Sequence, residues 1–197
     1  IAINVAVTVW SGTLPEREQS ELALRYGFMP ARLTHVGQGQ PVVAPIFAVD
    51  PRLREARQIG QMQLSTSPSA VYTTFFTTMF MHGGWIHLLS NMWMLWVFGN
   101  NIEDRLGHLL FVAFYLVGGA LATTCFWISD PNSVIPVVGA SGAVAAVLGG
   151  YALTYPTTKV RTLIFFIIIT IVDLPALAVL GVWFVLQLFS GVMGLWG

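Results

Sequence analysis

Ser141 stands in the run Gly139-Ala140-Ser141-Gly142-Ala143, and earlier in the chain lies His82-Gly83-Gly84-Trp85-Ile86-His87-Leu88-Leu89-Ser90-Asn91. A hydroxyl, two imidazoles and a carboxamide are the groups that acyl transfer needs: a nucleophile, proton carriers, and donors for a developing oxyanion. Both runs are embedded in strongly apolar sequence. Polar side chains are costly there and usually functional.

Val137-Val138-Gly139-Ala140 leads into a helical pattern, which puts Ser141 in a first helical turn. Helix N-termini present unpaired N–H groups and positive dipole, which is what an oxyanion requires. Gly139 and Gly142 carry no side chains, so a substrate backbone has room to approach. The Gly-x-Ser-x-Gly elbow of soluble hydrolases is absent. Gly142, Ala146 and Gly150 repeat at four-residue spacing, as do Ser141, Ala145 and Gly149. Such stripes let membrane helices approach closely, so a packing role competes with the nucleophile reading.

His87 and Asn91 are i and i+4 and share one helix face, from which both can donate to one point. The competing reading is polar glue between helices. His82 is roughly 140° from His87 on a helical wheel and is expected to precede the helix. Metal binding is rejected, because the paired i, i+4 histidines and supporting carboxylate of a zinc site are missing. Glu103 and Arg105 read as an ion pair at a helix end with Gly107 as the stop. Asp173 reads as an N-cap beside Pro175. The methionines and tryptophans around both ends of the histidine motif read as core and interface residues.

These residues must be positioned by membrane helices. The chain is 55% hydrophobic and only 9% charged, with a mean hydropathy of +0.72, against roughly 25% charged in soluble domains. A net charge of zero makes nucleic acid an unsuitable partner. The single cysteine, Cys125, has no intrachain disulfide partner. Spans need about 20 apolar residues. Leu109–Ile128, Val134–Tyr155 and Ala176–Trp196 meet that length, and Trp85–Ile102 does so with a polar stripe. Ile1–Trp10 reads as the tail of a span. Leu163–Val172 reads as a helical lead-in at the membrane edge, and a continuous helix kinked at Pro175 is the alternative.

Residues 11–70 hold six of the nine basic and five of the nine acidic residues. Pro15–Tyr26 predicts a helix stopped at Gly27. The Gln-, Pro- and Ser-rich stretch 35–70 predicts mostly loop. Lys and Arg mark cytoplasmic loops. The loops at 103–105 and 155–161 are therefore expected inside, the loop 129–136 outside, and Ser141 near the outer end of its helix.

In order and spacing the motifs resemble those of the rhomboid family of intramembrane serine proteases. His82-Gly-Gly-Trp-x-His87-x-x-x-Asn91 resembles the family's second-helix motif, Glu103-x-Arg105-x-Gly107 the motif closing that helix, and Gly139-x-Ser141-Gly142 the nucleophile motif of the fourth. Glu21–Leu33 resembles the first outer loop of bacterial members, and Leu174–Gln187 the fifth-helix region. The resemblance implies an all-α polytopic membrane protein, a six-helix bundle here lacking most of the first helix and all of the sixth. Its segments would be 1–10 (end of the first helix), 11–80 (long outer loop), 81–103, 107–128 and 137–155 (second to fourth helices), 160–173 (lead-in) and 175–196 (fifth helix). It further implies Ser141 as nucleophile, His87 and Asn91 as oxyanion donors together with the Ser141 N–H, and His82, Glu103 and Arg105 in support. No metal or cofactor is implied. The implied partners are transmembrane protein substrates within the lipid bilayer, in a bacterial inner membrane. The family's general base is a sixth-helix histidine. His35, His82, His87 and His108 do not fit that role, so these residues alone are expected to be nearly inactive. Two other readings are a catalytically inactive, client-binding relative and a small polytopic transporter. The latter should carry charged residues within spans or paired broken helices.

Overall fold

The computed structural model describes residues 1–49, 56–165 and 169–193. Eight helices and two β-hairpins follow in order among them: α1 (Ala2–Gly12), α2 (Glu16–Tyr26), α3 (Pro30–Thr34), β1 (Val42–Val49), β2 (Ala56–Leu64), α4 (Pro68–Thr77), α5 (Trp85–Leu106), α6 (His108–Ser129), α7 (Ser141–Thr154), β3 (Lys159–Phe165), β4 (Ile169–Pro175) and α8 (Ala176–Met193). A single 3-10 turn, Thr78–Phe80, joins α4 to the histidine segment.

Three sequence expectations are corrected here. The architecture is mostly rather than entirely helical. Residues 35–70, expected as loop, contain the antiparallel pair β1–β2 and the first turn of α4. Alternate residues of this pair, Ala44, Ile46 and Leu64, turn inward to a small core with Leu24 and Met29, the period-2 pattern of a half-buried sheet. The lead-in at 160–173 is not helical. Lys159–Phe165 and Ile169–Pro175 pair antiparallel, and their β-branched residues suit strands. Asp173 therefore caps no helix. Its carboxylate lies 3.7 Å from Arg161 across the hairpin.

The main core forms where α5, α6 and α7 meet. Phe98 of α5 packs edge-on against Tyr151 of α7, with ring centroids 4.9 Å apart, amid buried Val144, Val147 and Leu148. The α6–α7 contact is set by small residues. A Cβ on Gly118 would overlap Ala146, and one on Gly142 would lie 2.6 Å from the Ala122 side chain. Gly150 meets Phe114. The order 122, 118, 114 against 142, 146, 150 makes the two helices antiparallel, in close approach along one four-residue stripe. α1 docks on α5 with buried Asn4 donating through Nδ2 to the Met92 sulfur at 3.5 Å.

Large apolar side chains face outward as well as inward. Leu109 is 87% exposed, and Trp93 and Trp96 exceed 60%. Asn4, Thr8, Thr78, His87, Asn91 and Thr123 are buried. Buried polar groups under so apolar an exterior suit an apolar solvent. Among the described residues α6 is the helix long and apolar enough to cross a membrane by length and composition.

Candidate active site

Ser141 is the first residue of α7, and no side chain caps that helix start. The N–H groups of its first turn therefore have no intrahelical acceptor, and the dipole adds partial positive charge beside the hydroxyl. The expected span 134–155 is helical only over 14 residues. At 1.5 Å per residue that is about 21 Å, roughly 9 Å short of a ~30 Å hydrocarbon core. A helix this short does not cross that core from face to face.

The segment leading to Ser141 is pinned by the outer elements. Phe28 and Val137 exchange backbone hydrogen bonds of 3.0 and 2.7 Å. The Gly139 N–H donates to the Thr78 carbonyl at 2.9 Å, and the Thr78 hydroxyl donates to the Val137 carbonyl. The Ala31 N–H donates to the Ser133 carbonyl at 3.0 Å. Neither Thr78 nor Phe28 was singled out from the sequence. Thr78 sits in a threonine-rich apolar run and carries no motif of its own.

Gly139 has φ +130°, a conformation that favours glycine. A Cβ there would lie 2.7 Å from Nε2 and Cε1 of His87, so the imidazole occupies the space that glycine leaves. The room read from the sequence as access for a substrate is thus filled, at Gly139 by His87 and at Gly142 by Ala122. Each glycine fits two parts of the protein together.

His82 and His87 lie edge to face with ring centroids 5.2 Å apart. The Ala140 N–H donates to His82 Nε2 at 3.4 Å. His82 precedes α5, where burial, and secondly the neighbouring His87, push its pKa down to about 4. It is therefore a neutral acceptor at physiological pH. Neither ring nitrogen of His87 has a hydrogen-bond partner among the described residues. Asn91 is fully buried. Its Nδ2 donates to the His87 carbonyl at 3.0 Å, while its Oδ1 is unpartnered.

These contacts join His82 and His87 to the Gly139–Ala140 step that precedes Ser141, while Asn91 bonds to the His87 backbone. Glu103 and Arg105 do not join them. They lie at the other end of α5, some 24 Å along its axis from His87. The expected Glu103–Arg105 pair is also replaced. His108 Nδ1 donates to Glu103 Oε1 at 2.6 Å across Gly107, which has φ +77° and links α5 to α6. Among the described residues no three His, Cys, Asp or Glu side chains gather as metal ligands. Beside the site, Ile86, Leu89, Ser90, Trp93 and Met94 of α5 and Trp183 of α8 line an open apolar groove of about 530 Å³.

The Rhomboid domain family matches residues 69–196, from α4 through α8 with both motifs. Among curated relatives, Presenilin-associated rhomboid-like protein A, mitochondrial, of Danio rerio is 34% identical over 82 residues, 41% of this chain and 21% of that protein. Rhomboid-like protease 5 of Toxoplasma gondii is 30% identical over 145 residues, 70% of this chain and 16% of that protein. Rhomboid protein 1, mitochondrial, of Saccharomyces cerevisiae is 34% identical over 91 residues, covering 44% and 26%. The chain spans about a quarter or less of the length of these relatives. No solved structure matches it. With a family match covering well over half of its length, and two polar motifs meeting at one helix start inside an outward-apolar bundle, the chain belongs to the rhomboid family of integral membrane proteins.

Proposed function

We propose that the full-length protein is an intramembrane serine endopeptidase and that these residues form most of its catalytic core. The observation carrying this reading is Ser141 at the uncapped start of α7, with the His87 ring seated against Gly139 two residues before it. In this reading Ser141 Oγ attacks the scissile carbonyl. The first-turn amides of α7, with His87 and Asn91, stabilise the resulting oxyanion. Serine needs a base, and we assign that role to a histidine outside these 197 residues. His35 is engaged with Gln38, and His108 with Glu103. The open stripe of Ser141, Ala145 and Gly149 supports a further helix packing there, since a Cβ on Gly149 would meet nothing within 4 Å.

Substrates in this reading are transmembrane segments of other proteins. The apolar groove between α5 and α8 suits a chain arriving from lipid. In this reading the α7–α8 connection is cytoplasmic and Ser141 lies toward the outer face of a bacterial inner membrane, an orientation that Lys159 and Arg161 support through the positive-inside rule. The inactive, client-binding reading has one observation in its favour: the Asn91 amide donates to the His87 carbonyl, not into the site. The transporter reading has no such support: among the described residues the one buried charge, Arg32, lies outside the long helices.

The test is Ser141→Ala in the full-length protein with a transmembrane substrate. Cleavage and fluorophosphonate labelling should both vanish while substrate co-purification is retained. Cleavage surviving the substitution would remove the protease assignment. Binding without cleavage in the unsubstituted protein would establish the inactive relative.

A further inference from the structure

The outer elements frame an open cavity that the proteolytic reading does not use. It has a volume of about 520 Å³ and lies between α2, α3, β2 and α4. Its wall holds Arg32, which is 3% exposed. Buried charges are normally paired, yet among the described residues no carboxylate lines this cavity. Instead Nε donates to the Ser65 carbonyl at 3.1 Å, Nη1 to the Arg25 carbonyl at 3.2 Å, and Nη2 to the Ala70 carbonyl at 3.4 Å. A guanidinium has five N–H donors, so two are left over. Neutral carbonyls satisfy hydrogen bonds without cancelling the charge.

Three more features of the same wall favour an anion. Arg25 is a second guanidinium lining it. Ser69 and Ala70 line it from the first turn of α4, a ten-residue helix whose start no side chain caps. Their amides point out of that turn without intrahelical acceptors and carry its positive dipole. The hydroxyl of Ser69 has no hydrogen-bond partner among the described residues. A planar guanidinium, a helix start and a free hydroxyl together match a tetrahedral oxyanion better than a carboxylate.

We propose that this cavity binds a phosphoryl oxyanion, held by Arg32 and Arg25 and by the Ser69 end of α4. The bound charge compensates the buried arginine and ties α2, α3 and α4 together behind Phe28, whose backbone pairs with Val137. The phosphoryl group comes either from a lipid headgroup or from free phosphate, because the chemistry of recognition is the same.

The test uses the full-length protein in a maltoside detergent, which contains no phosphate. Thermal unfolding is followed with inorganic phosphate against chloride at equal ionic strength, and with short-chain phosphatidylglycerol against a phosphate-free diacylglycerol. The unsubstituted protein should gain several degrees in Tm. Arg25→Gln should need about tenfold more ligand for half the shift, the effect of one charge-assisted hydrogen bond, and Ser69→Ala should weaken it less. Both positions are exposed, so unliganded Tm should barely move. If Arg25→Gln alone lowers it, Ser69→Ala carries the comparison. A shift with the lipid only assigns the headgroup as source; a shift with phosphate only assigns the free ion; shifts with both assign the phosphoryl group itself. No shift with either ligand, or equal shifts in both variants, overturns the proposal.

Discussion

Gly139 is where the two motifs become one site. Its positive φ and the His87 ring against its α-carbon leave alanine no relaxed solution, because both backbone and imidazole would have to move. Gly139→Ala should cost about 1–3 kcal/mol in strain, yet it should cut labelling of Ser141 in the full-length protein far more than that loss of stability implies. Labelling near the unsubstituted level would mean that the His87 position is irrelevant to serine reactivity. His82 yields a pH prediction. Its pKa of about 4 lies below the ordinary 6.5, so the unfolded chain takes up a proton first as pH falls. Stability from this residue is complete above about pH 6.5. It declines toward pH 4, by on the order of 3 kcal/mol. His82→Gln keeps an acceptor for the Ala140 N–H without titrating. Tm measured between neutral and mildly acidic pH should flatten in that variant relative to the unsubstituted protein. Equal acid sensitivity in both would assign the effect elsewhere.

The elements divide sharply by how legible they were. α5, α6 and α8 follow from apolar length, and Gly107 marks the break between α5 and α6. The helical start at Ser141 was legible from the glycine step. The hairpins were not read, for different reasons. In β2, Gln61-Met62-Gln63-Leu64 alternates as a half-buried strand should, but its glutamines and the proline in β1 resembled loop composition. In β3 and β4 the apolar run reads as a helical lead-in at the membrane edge, because apolar runs of that length do not separate helix from strand by period. What set the site most tightly, the pinning of 137–140 by Phe28 and Thr78, was invisible because it is made by backbone groups far apart in sequence. The α7 half of the α6–α7 stripe, Gly142, Ala146 and Gly150, is by contrast legible from spacing alone, while its partners on α6 are not. Gly118→Leu should force these helices apart and cost about 1–3 kcal/mol by overpacking, seen as a lowered Tm. Gly149→Leu in these 197 residues should cost much less, since its Cβ has open space. Equal losses would show that small residues matter there for reasons other than the α6 contact.

At the scale of the whole molecule, the apolar exterior and the polar side chains buried beneath it argue that lipid is the solvent. The outer elements around β1 and β2 follow the opposite rule, with Leu24, Ala44, Ile46 and Leu64 inside. The chain therefore carries two solvents in its design, and the site lies where they meet: α3 and the Thr78 turn, from the outer side, hold the strand that feeds α7. Leu121 tests this division. It is 61% exposed in the middle portion of α6, with no water-facing role to lose. If lipid covers it, Leu121→Arg should cost about 2.5–3.5 kcal/mol of insertion free energy, lowering the membrane-integrated fraction and the Tm in bilayer discs. Leu109 is more exposed but stands in the first turn of α6. There a long basic side chain can reach the interface with its stem still in apolar surroundings, so Leu109→Arg should be tolerated. A protein indifferent to arginine at both positions would have water, not lipid, on this face. The spanning role of α6 would then have to be abandoned, and with it the orientation proposed for Ser141.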